Sequence, residues 1–490
     1  MRAKLLIISL LVSVAAMSQV ERPRLVVGLV VDQMRWDYLY RFQDEFGEDG
    51  FKRILRDGYS CENTMINYVP TVTSIGHASV YTGSTPALHG ICGNNFYIDK
   101  KEVYCCADTT VRSVGSDGSK GQMSPHYMLA STIGDELKLS TNFRSRVFGV
   151  AIKDRAAILP AGHSADAAYW WDSDVGHFVS STFYMKELPA WVQEFNKKNH
   201  TKPKFNIISD NQGVSVTFRM AEALLDHEQL GQRGETDMLT ISISSTDAIA
   251  HQKGIDGADI HSVFQLLDQE LGKFLKTLDS KVGRGQYLLF LTADHGGAHN
   301  YNYLKRHRIP AAGLESWGLV KPLDEHLSNV FGVSKLVVGE NVGRIFLDHE
   351  LIEKSGLSLG NVKQEVIRWM CRDKRFMTAV DFADAVNAPL PQLIRERICN
   401  GYNPERTGDV IGITRPQVVI TTDKPDFEGT SHSAWNPYDA HIPFVLMGWK
   451  VSHGATTTPT FITDIAPTIC SMLHIEAPNA AIGNAVPIGK

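Results

Sequence analysis

Five runs of apolar residues, each bordered by polar or ionisable side chains, constrain the fold of this chain more than any other feature. Leu25-Val26-Val27-Gly28-Leu29-Val30-Val31 ends on Asp32, and Val147 to Ile152 ends on Lys153. Met238 to Ile243 leads to Asp247, Tyr287 to Leu291 leads to Asp294, and His441 to Met447 lies near the C-terminus. These runs are apolar throughout much of their length instead of alternating with polar residues, so they read as strands covered on both faces. Helical patterns lie between them. The clearest is Asp259 to Leu278, where Ile260, Val263, Phe264, Leu267, Leu271, Phe274, Leu275 and Leu278 recur at steps of three and four. Such strands alternating with helices predict an α/β fold, a mostly parallel central sheet with helices on both faces.

Two long stretches interrupt the rhythm. One, about 156–230, is rich in aromatics such as Tyr169, Trp170, Trp171 and Phe178; the other, about 300–430, mixes short strands with a helix near Asn361 to Arg372. Both read as insertions that wall or cap a site. Although 490 residues would accommodate several domains, residues 19–490 are therefore expected to form a single catalytic domain.

The N-terminus points to export. Arg2 and Lys4 precede an apolar stretch, Leu5 to Met17, followed by Ser18 and then the charged Glu21, Arg22 and Arg24. That stretch is too short for a bilayer of roughly 30 Å and fits a secretory signal over residues 1–18. A periplasmic or secreted protein without a stable membrane anchor is expected. Seven cysteines without CxxC spacing give no indication of a thiolate zinc cluster, and their odd number leaves at least one outside any intramolecular pairing. A formal charge of -5 gives no electrostatic reason to expect nucleic acid.

In open α/β sheets, ligands bind outside the carboxyl ends of the strands. Asp32, Asp247 with His251, and Asp294-His295 all fall at or just past such ends. Oxygen and nitrogen donors of these kinds suit zinc, with manganese or iron less well matched. Asp247 and His251 stand one helical turn apart. Asp294 and His295 would face opposite sides of a regular strand, but the break at Gly296-Gly297 lets both turn to one site. A lone Asp or His at a strand end is usually a cap or a packed residue; three carboxylates and two imidazoles at successive ends point to two-metal chemistry. Thr71 to Gly83 reads as a loop entering a short helix. There the Thr73 hydroxyl either caps the helix, as the segment alone favours, or lies in the positive end of its dipole as a nucleophile.

The ordered set resembles the alkaline phosphatase superfamily, of the phosphate-irrepressible periplasmic type. After Asp32 come Thr73-Ser74-Ile75-Gly76-His77, Tyr81-Thr82-Gly83, His89-Gly90-Ile91 and Gly93-Asn94-Asn95. Lys153-Asp154-Arg155, Ser245-Thr246-Asp247, Asp294-His295-Gly296-Gly297 and Gly429-Thr430-Ser431-His432 follow. The resemblance implies that Thr73 is the nucleophile and becomes a phosphothreonine. It implies one zinc held by Asp247, His251 and His432, and a second held by Asp32, Asp294 and His295 that also touches the Thr73 oxygen. Ser433 departs from the Gly often found after the ligand His, and His441 is the alternative to His432. Asn94, Lys153 and Arg155 would bind the phosphoryl oxygens, a set that suits phosphate monoesters and takes the place of a third, magnesium, site. The implied protein is a two-zinc alkaline phosphatase, expected as a monomer. A nucleotide pyrophosphatase or phosphodiesterase of the same superfamily is the alternative, and a zinc-stabilised binding protein without turnover is a third reading. His77, His89, His163, His299 and His441 are expected to be structural or helix-end residues.

Overall fold

β1 (Leu25–Val31) runs through the middle of a ten-stranded sheet with all seven residues buried. The computed structural model describes residues 20–488, so the leader expected over residues 1–18 lies outside the described residues. β1 is flanked by β5 (Asp237–Ile243) and β6 (Tyr287–Thr292), both parallel to it. Beyond β5 come β2 (Val147–Ala151) and β3 (Ala167–Asp172), again parallel, then β4 (His177–Ser181), antiparallel. Beyond β6 lies β7 (Phe444–Gly448), also antiparallel. Helices pack around the sheet, among them α3 (Gln212–His227) and α5 (Ala258–Leu278), which pack against each other while α3 also lies on β5. Burial on both faces is the physical reason why β1, β2 and β6 are nearly continuous apolar runs.

The run His441 to Met447 is not one strand. His441–Ile442 pairs with Thr64–Met65 in a separate small sheet, and β7 starts only after Pro443. Proline has no N–H to contribute to a ladder. The aromatic stretch at 156–230 also does more than wall the site. Its β3 and β4 extend the central sheet, and Tyr169, Trp170 and Trp171 are buried there. The stretch at 300–430 carries its own four-stranded antiparallel sheet, built from Val337–Asn341, Arg344–Leu347, Val410–Thr414 and Phe376–Asp381. It has a core of its own around Leu323, Leu327, Val362, Val366 and Met370. Two arginines from this segment reach back to the N-terminal part of the chain: buried Arg344 donates to the Cys92 carbonyl at 2.6 Å, and Arg406 donates to the Gly90 carbonyl at 2.8 Å.

α1 (Thr73–Thr82) is buried along its whole length against the sheet. Two glycines make that approach possible. A Cβ at Gly28 would fall 2.6 Å from the Phe290 ring and collide with the Tyr81 hydroxyl; one at Gly76 would fall 2.6 Å from the Cβ of Asp294. The first turn of α1 is thereby pressed onto the end of β6 at Asp294, and its last turn lies over the middle of β1. Among the described residues no helix is long and apolar enough to cross a membrane, and all seven cysteines are unpaired.

Candidate active site

The parallel strands end at one edge, and the chain delivers its donors there. Asp32 follows β1 directly. Asp247 and His251 both lie on α4 (Ser245–Lys253), which follows β5, so one helical turn aims both side chains the same way. Asp294 and His295 follow β6 by two and three residues, where the strand has given way to loop. His432 comes from the far side of the 300–430 segment.

Two groups of donors result. Asp32, Asp294 and His295 bring one ligand atom each to within 4.8 Å of one another, and so do Asp247, His295 and His432. His251 joins the second group through Asp247, with Nε2 3.1 Å from Oδ1. His432 Nε2 lies 3.7 Å from that same oxygen, and the His295 and His432 rings stack at 3.6 Å between centroids. His295 thus stands between the two groups, within reach of each. His441 does not join them: its Nε2 meets the Glu62 carbonyl at 3.0 Å and its ring stacks on Trp36.

The orientation of each imidazole is fixed from behind. Nδ1 of His251, His295 and His432 lies 2.9, 2.9 and 2.6 Å from the carbonyls of Thr430, Gly296 and Thr71. A carbonyl can only accept, so Nδ1 carries a hydrogen and Nε2 is turned to the site. Burial holds His295 and His432 below the usual imidazole range, which favours the neutral form that binds metals. Asp32 Oδ1, Asp247 Oδ1, Asp294 Oδ2 and His295 Nε2 are all buried without a hydrogen-bond partner. Such atoms are costly unless something else satisfies them. Carboxylate oxygens and imidazole nitrogens in these two groups fit a pair of zinc ions in chemistry and number of donors.

Lys153 occupies the middle of the site. Its Nζ donates to Asp32 Oδ2 at 2.5 Å and Asp247 Oδ2 at 2.6 Å, and lies 3.4 Å from Thr73 Oγ. Burial works against its charge, but Asp247 and Asp32 outweigh that and raise its pKa. Asp247 is pushed up by burial and pulled further down by His251 and Lys153, so its net shift is well below the usual carboxylate range. Asp32 goes the other way, raised by burial and by the repulsion of Asp294. Thr73 is the first residue of α1; Val72 holds the cap position, and no side-chain capping bond forms. The Thr73 hydroxyl is therefore not spent on the helix. Asn94 accepts the Ser74 N–H through Oδ1 at 3.1 Å, which leaves its NH2 group free to donate.

Arg155 stands on the second residue of α2 (Asp154–Ala161), with Nη1 3.1 Å from the Tyr104 hydroxyl and Nε buried without a partner. Tyr104 in turn donates to Asp154. Sequence patterns did not single out Tyr104, which lies in a half-exposed hairpin far from the strand ends in sequence. Gln33 was missed as well: its N–H donates to Asp294 Oδ1 at 3.1 Å from a backbone with φ of 61°. A non-glycine residue in that left-handed region next to Asp32 was the signal, and it is a conformational one that the sequence does not display. Of the other histidines, His89, His163 and His299 bond outside the site, to Ser79, Met128 and Asp256.

Comparison with known proteins identifies the family and the fold. The family described as type I phosphodiesterase / nucleotide pyrophosphatase matches residues 26–435. A protein of Myroides odoratus named calcium-transporting ATPase is 42% identical over 97% of this chain and 96% of its own length. Alkaline phosphatase PafA of Elizabethkingia meningoseptica is 38% identical, covering 98% of this chain and 97% of that one. The crystal structure of wild-type PafA superposes with a TM-score of 0.92 over 96% of this chain and 100% of that one. The fold is thus the alkaline phosphatase-like one, and the chain belongs to the type I phosphodiesterase / nucleotide pyrophosphatase family of the alkaline phosphatase superfamily.

Proposed function

We propose that this chain is an exported alkaline phosphatase that hydrolyses phosphate monoesters through a phosphothreonine on Thr73. The observation that carries the reading is the meeting of two donor groups, Lys153 and the uncapped Thr73 hydroxyl at one sheet edge. Asp247, His251 and His432 would hold one zinc, and Asp32, Asp294 and His295 the second. When bound, the pair supplies Lewis-acid stabilisation of charge on the entering and leaving oxygens.

The protein's own groups account for the rest. The start of α1 favours negative charge on the Thr73 oxygen, and the Lys153 ammonium nearby adds to it. As that oxygen gives up its proton and bonds to phosphorus, the bond to the leaving alkoxide breaks and the alkoxide takes up a proton; water then attacks the phosphothreonine, releasing phosphate and returning a proton to the Thr73 oxygen. Phosphoryl transfer spreads charge over the nonbridging oxygens. The Asn94 NH2 group, Lys153 and the planar Arg155 guanidinium are suited to receive those oxygens. A monoester offers charged oxygens where a diester carries an uncharged substituent, so two cations there favour monoesters. No magnesium site is included, because Lys153 and Arg155 supply positive charge in its place. The diesterase reading draws on the family description, and substrate preference separates the two. The wild-type protein should show higher kcat/KM for a monoester than for the matching diester; the reverse order would replace the first reading with the second.

A further inference from the structure

We propose that His77 is a positioning residue that fixes the Thr73 turn against Asp294. The inference rests on the reading of the site given above and extends it to a residue that touches neither substrate nor metal in that reading. His77 is fully buried on α1, one turn beyond Thr73. Its Nδ1 lies 2.8 Å from the Thr73 carbonyl and 3.3 Å from Asp294 Oδ2, and its Nε2 lies 2.8 Å from Ser242 Oγ.

One partner dictates a proton. The Thr73 carbonyl can only accept, so Nδ1 bears a hydrogen, while Nε2 bonds the Ser242 hydroxyl, which can serve as donor or acceptor. Ser242 belongs to β5, the strand that leads to Asp247. One ring therefore links three parts: the turn carrying the nucleophile, the carboxylate of one donor group, and the strand that delivers the other.

Asp294 has little freedom to answer except at Oδ2. Its Oδ1 already accepts the N–H groups of Gln33 at 3.1 Å and His295 at 3.0 Å. Oδ2 has no hydrogen-bond partner and lies between His77 Nδ1 at 3.3 Å on one side and His295 Nε2 at 3.4 Å on the other. Gly76, the residue before His77, packs directly on the Asp294 backbone. The spacing between Thr73 and Asp294 Oδ2 is thus set by His77 and its neighbour. Groups behind metal ligands commonly matter by about 10–100-fold in affinity or activity.

The test compares His77→Leu, His77→Asn and Ser242→Ala in the full-length zinc-loaded enzyme. An Asn amide can place a donor near the Nδ1 position, whereas Leu fills space without one. Three quantities are read: kcat and KM on a phosphate monoester, the rate of zinc release to a chromophoric chelator, and the melting temperature. His77→Leu should lower kcat by about 100-fold with KM changed less than about threefold, and zinc release should quicken by about tenfold. His77→Asn should recover about tenfold of the lost kcat, and Ser242→Ala should lose about fivefold, on the same scale of neighbour effects. Equal losses in Leu and Asn, or wild-type kcat and zinc release in a folded His77→Leu, would overturn the proposal. If His77→Leu does not fold, Ser242→Ala with wild-type kcat and zinc release overturns it equally. A wild-type protein without monoester turnover or zinc refutes the functional reading itself, which is a separate outcome.

Discussion

Removing Lys153 and Arg155 should convert a monoesterase into an enzyme with little preference between monoesters and diesters. Arg155 is held at Nη1 by Tyr104, which leaves Nε and the remaining edge of its guanidinium for a ligand. A hydrogen bond to a charged group contributes about 1.5–3 kcal/mol. Losing one contact from each side chain therefore costs about 3–6 kcal/mol, or about 10²–10⁴-fold in monoester kcat/KM at about 1.4 kcal/mol per tenfold. A diester places an uncharged substituent against the same groups and should lose less than about tenfold. The assay is kcat/KM for a monoester and a diester with the same leaving group, on wild type, each single Ala variant and the double variant. Zinc content must be measured alongside, because Lys153 also bonds Asp32 and Asp247. Tyr104→Phe provides an internal check: it loosens Arg155 without removing its charge and should cost at least about tenfold on the monoester alone, the lower end of the worth of one hydrogen bond to a charged group. Equal losses on both substrates, at full zinc content, would refute the reasoning on specificity.

Three further outcomes are expected. Thr73→Ala should abolish turnover and the covalent phosphoprotein while retaining zinc, and turnover at the wild-type rate would remove Thr73 as nucleophile. Elemental analysis should find about two zinc per chain, as two-metal phosphoryl chemistry requires, and chelation should abolish activity until zinc is restored; one or none, with full activity, would refute the two-zinc reading. His89 gives a pH dependence outside the metal sites, since burial depresses its pKa to about 3. The unfolded chain then binds the extra proton, so this stabilisation is complete above the ordinary value of 6.5 and is lost as pH falls towards 3. Its ceiling is roughly 4–5 kcal/mol. His89→Gln should flatten the melting temperature below pH 6.5 relative to wild type, and parallel curves would refute the assignment.

The strands that carry donors were legible because burial on both faces leaves a continuous apolar run. The reading Leu25 to Val31 coincides with β1, and Asp259 to Leu278 falls within α5. β3 was hidden because its Ala-Ala-Tyr-Trp-Trp sequence carries bulk in aromatic rings instead of β-branched residues, and it sits in a stretch that breaks the rhythm. His432 was legible only through resemblance: it follows no core strand, and what brings it to Asp247 is the fold of the 300–430 segment. His77, Gln33 and Tyr104 act through backbone carbonyls, a left-handed φ and a hydroxyl contact, none of which leaves a periodic trace in the sequence.

The buried reach of Arg344 to Cys92 and of Arg406 to Gly90 bears on how this enzyme could be cut down or recombined. Both carbonyls lie just upstream of Asn94, whose amide is held beside the nucleophile turn. A shortened variant lacking residues 300–430 would keep the central strands yet leave the Gly90, Cys92 and Tyr127 carbonyls without their arginine donors and release the peptide that carries Asn94. Grafting a different segment at this position would need new donors for those carbonyls before it could offer a new substrate wall. The segment with its own sheet and core is therefore tied by Arg344 and Arg406 to the peptide that holds Asn94, and exchange of modules at that junction should show as weakened phosphate binding.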